Sequence, residues 1–225
     1  MKGKLIVIEG LDGSGKSTQE ALLKTKLSDS GIKVNFIKLP NYDDPACELV
    51  KMYLAGRFGK NPEDVNAYAA SSFFAVDRYV SYNCYWKNAY QNGEVFLADR
   101  YTTSNAYHQL TKTDKKDWDS YLSWLEDFEY NKMGIPKPDA VIYLDMPIEV
   151  SQKLMTGRYN GDESKKDIHE KNIEYLNSCR EAADYACSKL GWYRIKCSKD
   201  GEPLPIEVIS EEVFNAVTEA IGLDL

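Results

Sequence analysis

One short stretch near the start of the chain narrows its fold more than any other: "GLDGSGKSTQ", residues 10–19, which follows the apolar run "LIVIEG" and precedes residues with helical spacing. Gly10, four intervening residues, then Gly15, Lys16 and Ser17 fit the phosphate-loop pattern, whose backbone N–H groups wrap a polyphosphate at the N-terminal end of a helix. Gly10, Gly13 and Gly15 remove the Cβ atoms that would obstruct a tight anion nest, and Leu11, Asp12, Ser14 and Thr18 complete the loop. Lys16 would reach the outer phosphates, and the Ser17 hydroxyl would ligate a magnesium ion that neutralises them.

The rest of the chain supplies the architecture that such a loop needs. Short β-rich runs alternate with longer amphipathic stretches, the pattern of parallel strands joined by crossover helices. Strands are expected at 4–9, 34–39, 94–99, 140–145 and 192–197, and helices at about 16–29, 44–55, 63–91, 114–132, 148–156, 167–189 and 206–221. With 225 residues, no repeats and no linker, the chain reads as one domain. Functional residues of open α/β sheets gather at the carboxyl ends of strands. Here the loop, "LPNYDDP", "DRYTTSNAYHQ" and "DMP" follow the first four strands and should look toward one cleft. An Asp at the end of an apolar strand, beside a phosphate loop, is placed to orient magnesium and its waters, which marks Asp99; a helix N-cap is the other use of Asp there.

Bulk properties exclude several partners. A net charge of −7 and a pI near 5.0 argue against nucleic acid or a membrane surface as the main partner. The five cysteines form no CxxC or Cys/His cluster, so buried reduced thiols are expected in place of disulfides or zinc. No apolar run reaches membrane-spanning length and no signal-peptide h-region is seen, which leads to the expectation of a cytoplasmic protein.

The segment 62–92 carries the acceptor question. Val65, Ala69, Ser72, Phe73, Val76 and Val80 fall on one helical stripe, suited to the sheet or to a second subunit. Phe74 and Arg78, spaced i and i+4, fall on another face, where a ring and a guanidinium could clamp a planar heterocycle. A surface cation–π pair fits the same spacing, and spacing alone leaves both open.

Read together, "IVIEGLDGSGKSTQ", "SFFAVDRY", "VFLADRYTTSNAY", "PKPDAVIYLDMPIEVS" and "TGRYNGDESKKDIHEKNIEYL" occur in an order that resembles the thymidylate kinases, over nearly the whole chain. The resemblance implies a three-layer α/β P-loop NTPase fold with a five-stranded parallel sheet and a short lid at about 153–167. It implies transfer of the γ-phosphoryl group of Mg-ATP to thymidine 5′-monophosphate (dTMP), in a homodimer. Carried over by position, Phe74 resembles the ring that stacks on thymine and Arg78 the residue that hydrogen-bonds the base. Arg100 resembles the arginine that holds the acceptor phosphate, and Asp12 the carboxylate near the sugar 3′-hydroxyl. Asn105 and Tyr107 match positions that read the base edge and crowd the sugar 2′ position. Asp99 and Ser17 resemble the magnesium-associated pair.

Some members of the family carry a basic residue in the loop where this chain has Gly13; its absence implies a lid arginine, for which Arg158 is the candidate, with Lys153, Lys165 and Lys166 nearby. The catalytic set so implied is Lys16, Arg100, Arg158 and Asp99. After the second strand the chain departs from the Arg-Glu-Pro-Gly-Gly-Thr sequence of many bacterial members. Pro40 is kept, while Tyr42 and Arg57 are left as candidates for closing the pocket, and Tyr159, Tyr175 and Tyr185 for a further contact to the nucleoside. "SKDGEP" is expected to border adenine. A deoxynucleoside kinase would need a general base after the second strand, near Asp43 and Asp44. A nucleotide switch would need an Asn-Lys-x-Asp motif, which the sequence lacks.

Overall fold

The first strand shows why the sheet is buried on both faces. In β1 (Lys4–Glu9) every residue after Lys4 is buried, with Leu5 and Val7 entering one core and Ile6 and Ile8 the other. Such a run has no solvent face and needs a parallel partner on each side. It has them: β1 pairs with β3 (Val95–Asp99) in the register Ile6 to Leu97, and with β4 (Ala140–Asp145) in the register Ile8 to Ile142. Outside these lie β2 (Asn35–Lys38) and β5 (Tyr193–Lys196), giving a parallel five-stranded sheet in the order β2-β3-β1-β4-β5. This computed structural model describes residues 2–158 and 173–223, with side chains up to residue 155 in the first stretch.

Helices cover both faces. α1 (Lys16–Asp29) and α9 (Ile206–Ile221) bring Leu23, Leu27, Ile209 and Val213 against Ile6, Ile142 and Leu144. The other face is covered by the region of α3 (Ala67–Ser81) and α4 (Lys87–Gln91), through Tyr82, Trp86 and Tyr90 on Leu5, Val7 and Phe96. A neighbouring core joins α5 (Thr102–His108), α6 (Trp118–Glu126) and α8 (Ile173–Leu190) around Tyr107, Tyr121 and Cys179. α2 (Glu48–Leu54) packs on α3, and α7 (Ile148–Arg158) follows β4.

Three differences from the sequence reading have physical causes. The helix expected over 63–91 starts at Ala67, where Asn66 caps it by accepting from the Ala69 N–H at 2.9 Å, and a π-helical turn, Tyr82–Trp86, separates α3 from α4. The stripe that includes Val76 and Val80 is not the buried face; Ala67, Ala70, Ser71, Ala75 and Arg78 are. Residues 102–108, to which no helix was assigned, form α5, whose Thr-Thr-Ser-Asn start has poor intrinsic propensity and is held by tertiary hydrogen bonds. "SKDGEP" folds as a hairpin, β6 (Ser198–Lys199) against β7 (Glu202–Pro203), with Asp200 and Gly201 both at positive φ, as a two-residue turn requires. No helix among the described residues is long and apolar enough to cross a membrane.

Candidate active site

The loop between β1 and α1 closes on itself. Gly15 enters α1 at φ 90°, and the Lys16 ammonium donates back to the carbonyl oxygens of Gly10 at 2.6 Å and Leu11 at 3.2 Å. Burial first, and then the nearby Arg100 charge, push Lys16 down to about 8, against the pull of Asp12, Asp99 and Glu9. Ser17 and Thr18 stand exposed in the first turn, and the Ser14 hydroxyl is buried without a partner. Gly13, at φ 77°, lies against α7: a Cβ there would sit 2.8 Å from the Ser151 carbonyl oxygen and 2.9 Å from Met155 Cγ. Neither its backbone conformation nor its surroundings admit a side chain, so a loop arginine has no place here.

Behind the loop lies Glu9, fully buried at the end of β1. Its Oε1 accepts from the Tyr101 N–H, Thr103 Oγ1 at 2.6 Å and Ser104 Oγ, and its Oε2 from Ser104 Oγ and the Tyr107 hydroxyl at 2.7 Å. One carboxylate thus ties the start of α5 to the phosphate loop. Between them, Asp99 ends β3 with Oδ1 buried and unpartnered and Oδ2 3.8 Å from Lys38 Nζ. Arg100 follows at φ 68°, a left-handed conformation unusual for a non-glycine residue and a recurring mark of functional positions. That turn aims its guanidinium at the loop, where NH2 donates to Asp12 Oδ1 at 2.5 Å and NH1 to the Tyr107 hydroxyl at 3.1 Å, with His108 Nε2 3.4 Å from NH1. Burial works most strongly on the Arg100 charge and against it, but Asp12, then Tyr107, Glu9 and Asp99 together outweigh it and raise the pKa well above the ordinary arginine value.

A cavity of about 220 Å³ opens from this pair. Asp12, Phe74, Arg78, Arg100 and Asn105, all marked in the sequence, line it together with Tyr42, Ser104, His108 and Gln109. Arg78 is held from behind. Glu129, fully buried in a second π-helical turn (Asp127–Lys132), takes Arg78 Nε at 2.6 Å and NH2 at 2.5 Å, and also accepts Thr102 Oγ1 at 2.7 Å. Phe74 meets Tyr53 edge to face, 6.1 Å between centroids.

Tyr107, expected at the sugar, does not line this cavity. Because 102–108 is a helix, Ser104, Asn105, His108 and Gln109 share the cavity face while Tyr107 turns inward. It is fully buried, its hydroxyl bound to Glu9 and Gly10 O, and burial raises its pKa well above the usual phenol range. Tyr42 reaches the cavity and Arg57 does not. Tyr175 lies beneath His108, donating to its carbonyl oxygen at 2.9 Å, whereas Tyr185 is bound to Asp119. Asp145, at the end of β4, is held by Arg180 and Arg194. The Arg158 side chain, Tyr159, Lys165, Lys166 and most of the expected lid lie outside the described residues; Lys153 pairs at 3.7 Å with Glu202.

Glu9, Glu129, His108 and Gln109 escaped the sequence reading. Glu9 carried a signal, a carboxylate closing an otherwise apolar strand; Glu129 carried none, since helical spacing places it among surface acids.

Comparison with known proteins decides the family. The thymidylate kinase family model matches residues 8–205. The chain belongs to that family. Probable thymidylate kinase 1 of Saccharolobus solfataricus is 30% identical over 94% of this chain and 99% of its own length. Human thymidylate kinase is 26% identical over 97% of this chain and 94% of its own. Among solved structures, thymidylate kinase from Candida albicans superposes with a TM-score of 0.69 at 21% identity, covering 97% and 92% of the two chains, which establishes a shared fold. As a thymidylate kinase the chain is an ATP-dependent phosphotransferase that acts on dTMP.

Proposed function

We propose that the cleft aligns Mg-ATP and dTMP as follows. The loop from Gly10 to Thr18 wraps the donor phosphates, and Lys16 leaves the carbonyls of Gly10 and Leu11 to meet them. Arg100 takes the acceptor phosphate by exchanging its carboxylate partner: the dianionic phosphate displaces Asp12, which is thereby released to accept from the sugar 3′-hydroxyl. Phe74 stacks on the base, with Arg78 and Asn105 at its edge. Discrimination against a 2′-hydroxyl passes to His108, which occupies the cavity face of α5 where Tyr107 was expected. The observation that carries this reading is one cavity that joins Phe74 and Arg78 to the Asp12–Arg100 pair on the phosphate loop.

Among the described residues no three His, Cys, Asp or Glu side chains cluster as a metal cage. That suits magnesium carried in by nucleotide, which takes few protein ligands. The orphaned Asp99 Oδ1 and the exposed Ser17 hydroxyl are a fitting donor set, the residues that would hold the ion. Bound there, the ion would neutralise charge on the phosphates. Arg158 is assigned the stabilisation of the moving phosphoryl group from the lid. A second copy of the chain is assigned to the outer face of α3, where Tyr68, Val76 and Tyr79 are exposed beside Trp124; sedimentation of a dimer would support it.

The test is ADP release with Mg-ATP and a panel of nucleoside monophosphates and free nucleosides. dTMP should dominate, and Lys16→Ala should cut turnover by about 10²–10³-fold while leaving the melting profile unchanged. A free nucleoside as best acceptor, or near-normal turnover in the variant, would overturn the assignment.

A further inference from the structure

A second cavity, of about 580 Å³, lies at the opposite end of the sheet from the active site. Lys2, which precedes β1, and residues 135–137, which lead toward β4, line it, and it shares no lining residue with the acceptor cavity. Both π-helical turns described above border it, the first through Tyr82 and the second through Tyr130, and such turns recur at functional sites.

The polar lining is rich in donors. Tyr82 and Tyr90 are each 6% exposed, and neither hydroxyl has a hydrogen-bond partner among the described residues. Their rings pack edge to face on Trp86, 4.7 and 5.9 Å between centroids, so what they offer the cavity is the hydroxyl. Burial raises both phenols, and at Tyr90 Asp139 adds to the rise, which keeps them protonated and able to donate. Lys2 has no ion-pair partner among the described residues, and Lys87 bonds only the neutral Asn83 Oδ1, at 2.9 Å. Lys137 pairs at 2.6 Å with Glu126, the one carboxylate in the lining. In a chain of net charge −7 this is a local excess of unmatched positive charge.

We propose that this cavity is a second ligand site, for an oligophosphate chain, free or as the tail of a nucleotide. Phosphate oxygens accept from the two ammonium groups that lack a carboxylate and from the two buried phenols, and the volume suits a ligand of that size. With the rings of Tyr82 and Tyr90 committed to the core, no base is stacked on them, so the phosphate chain carries the affinity whichever source supplies it.

The experiment is calorimetric titration of the full chain with inorganic tripolyphosphate and, separately, with ATP, in wild type, Lys16→Ala, Lys87→Gln and Tyr90→Phe. Wild type should take up two equivalents of tripolyphosphate below about 1 mM. Lys16→Ala should weaken one of them; Lys87→Gln and Tyr90→Phe should each weaken the other about tenfold and leave the first alone. Tyr90→Phe removes a hydroxyl without a partner in the free protein, so this variant should melt no lower than wild type and turn over dTMP at the same rate. In Lys16→Ala, ATP should bind the remaining site as tightly as tripolyphosphate does; exclusion of ATP would assign the site to the free chain. The absence of any equivalent that responds to Lys87 and Tyr90, or ATP tenfold tighter than tripolyphosphate at that site, would overturn the proposal. A wild type that takes up only the equivalent governed by Lys87 and Tyr90 would refute the phosphate-loop assignment and leave this one standing.

Discussion

Arg78 and Glu129 form a fully desolvated ion pair, 3% and 0% exposed, in which Arg78 lines the cavity and Glu129 lies behind it. Replacing Glu129 by Leu removes the carboxylate but not the charge opposite it: burial disfavours the Arg78 charge and Glu129 is what lifts its pKa above the ordinary arginine value, yet a guanidinium deprived of its partner still keeps its proton at neutral pH. Stranding such a charge costs about 3–5 kcal/mol. Thr102 Oγ1 loses its acceptor in the same step. For a chain of this size each kcal/mol moves the melting temperature by roughly 2–4 °C, so Glu129→Leu should lower it by about 6–20 °C. Arg78→Met should be costly for the converse reason, an unpaired buried carboxylate. The double variant removes both charges and should recover roughly 1–3 kcal/mol relative to the sum of the singles. Urea denaturation of the four proteins measures this cycle directly. Strictly additive losses, or a Glu129→Leu protein that melts within 2 °C of wild type, would refute the argument that the pair is coupled and locks Arg78 in place.

Two further outcomes follow from the phosphate loop. Lys16 is depressed from 10.5 to about 8 in the free protein, first by burial and then by Arg100, so above pH 8 it is mainly neutral and must take up a proton when a polyphosphate binds. ATP affinity should therefore be nearly flat below pH 8 and about tenfold weaker at pH 9 than at pH 7, with proton uptake seen by calorimetry in buffers of different ionisation enthalpy; no uptake at pH 9 would contradict it. Gly13→Ala places a methyl group at φ 77° against the α7 backbone and should cost about 1–3 kcal/mol and weaken ATP binding, whereas a melting temperature equal to wild type's would show that the contact yields freely.

Where local chemistry and tertiary placement agree, sequence alone was enough. The loop from Gly10 to Thr18 and the buried strands β1, β3 and β4 follow from residues whose only good use is the one they have, and the five strands were placed to within a residue or two of their ends. Legibility failed where a distant carboxylate overrides local preference. No helical pattern marks the polar start of α5, which is held by Glu9 binding Thr103, Ser104 and Tyr107 at once; Tyr107 was placed at the sugar by family resemblance, and only the helix shows it turned inward with His108 on the cavity face. Likewise Phe74 and Arg78, singled out as a pair, both line the cavity, but the partner that fixes Arg78 is 51 residues further along and in a π-helical turn that no periodicity announces.

The strand order also has a consequence for how the chain is made. β1, the strand that carries the phosphate loop, is synthesised first, yet its only neighbours in the sheet begin at Val95 and Ala140. At roughly 5–20 residues per second, translation leaves this apolar segment without its first partner for about 4–20 s and without its second for longer still. Parallel pairing over such separations is slow in any case, since the intervening chain must be ordered before the contacts form. On the ribosome, then, the first residues of the catalytic loop to appear are among the last to acquire a structure, and the nascent chain presents "LIVI" as a ready site for a holding chaperone until β3 and β4 have emerged.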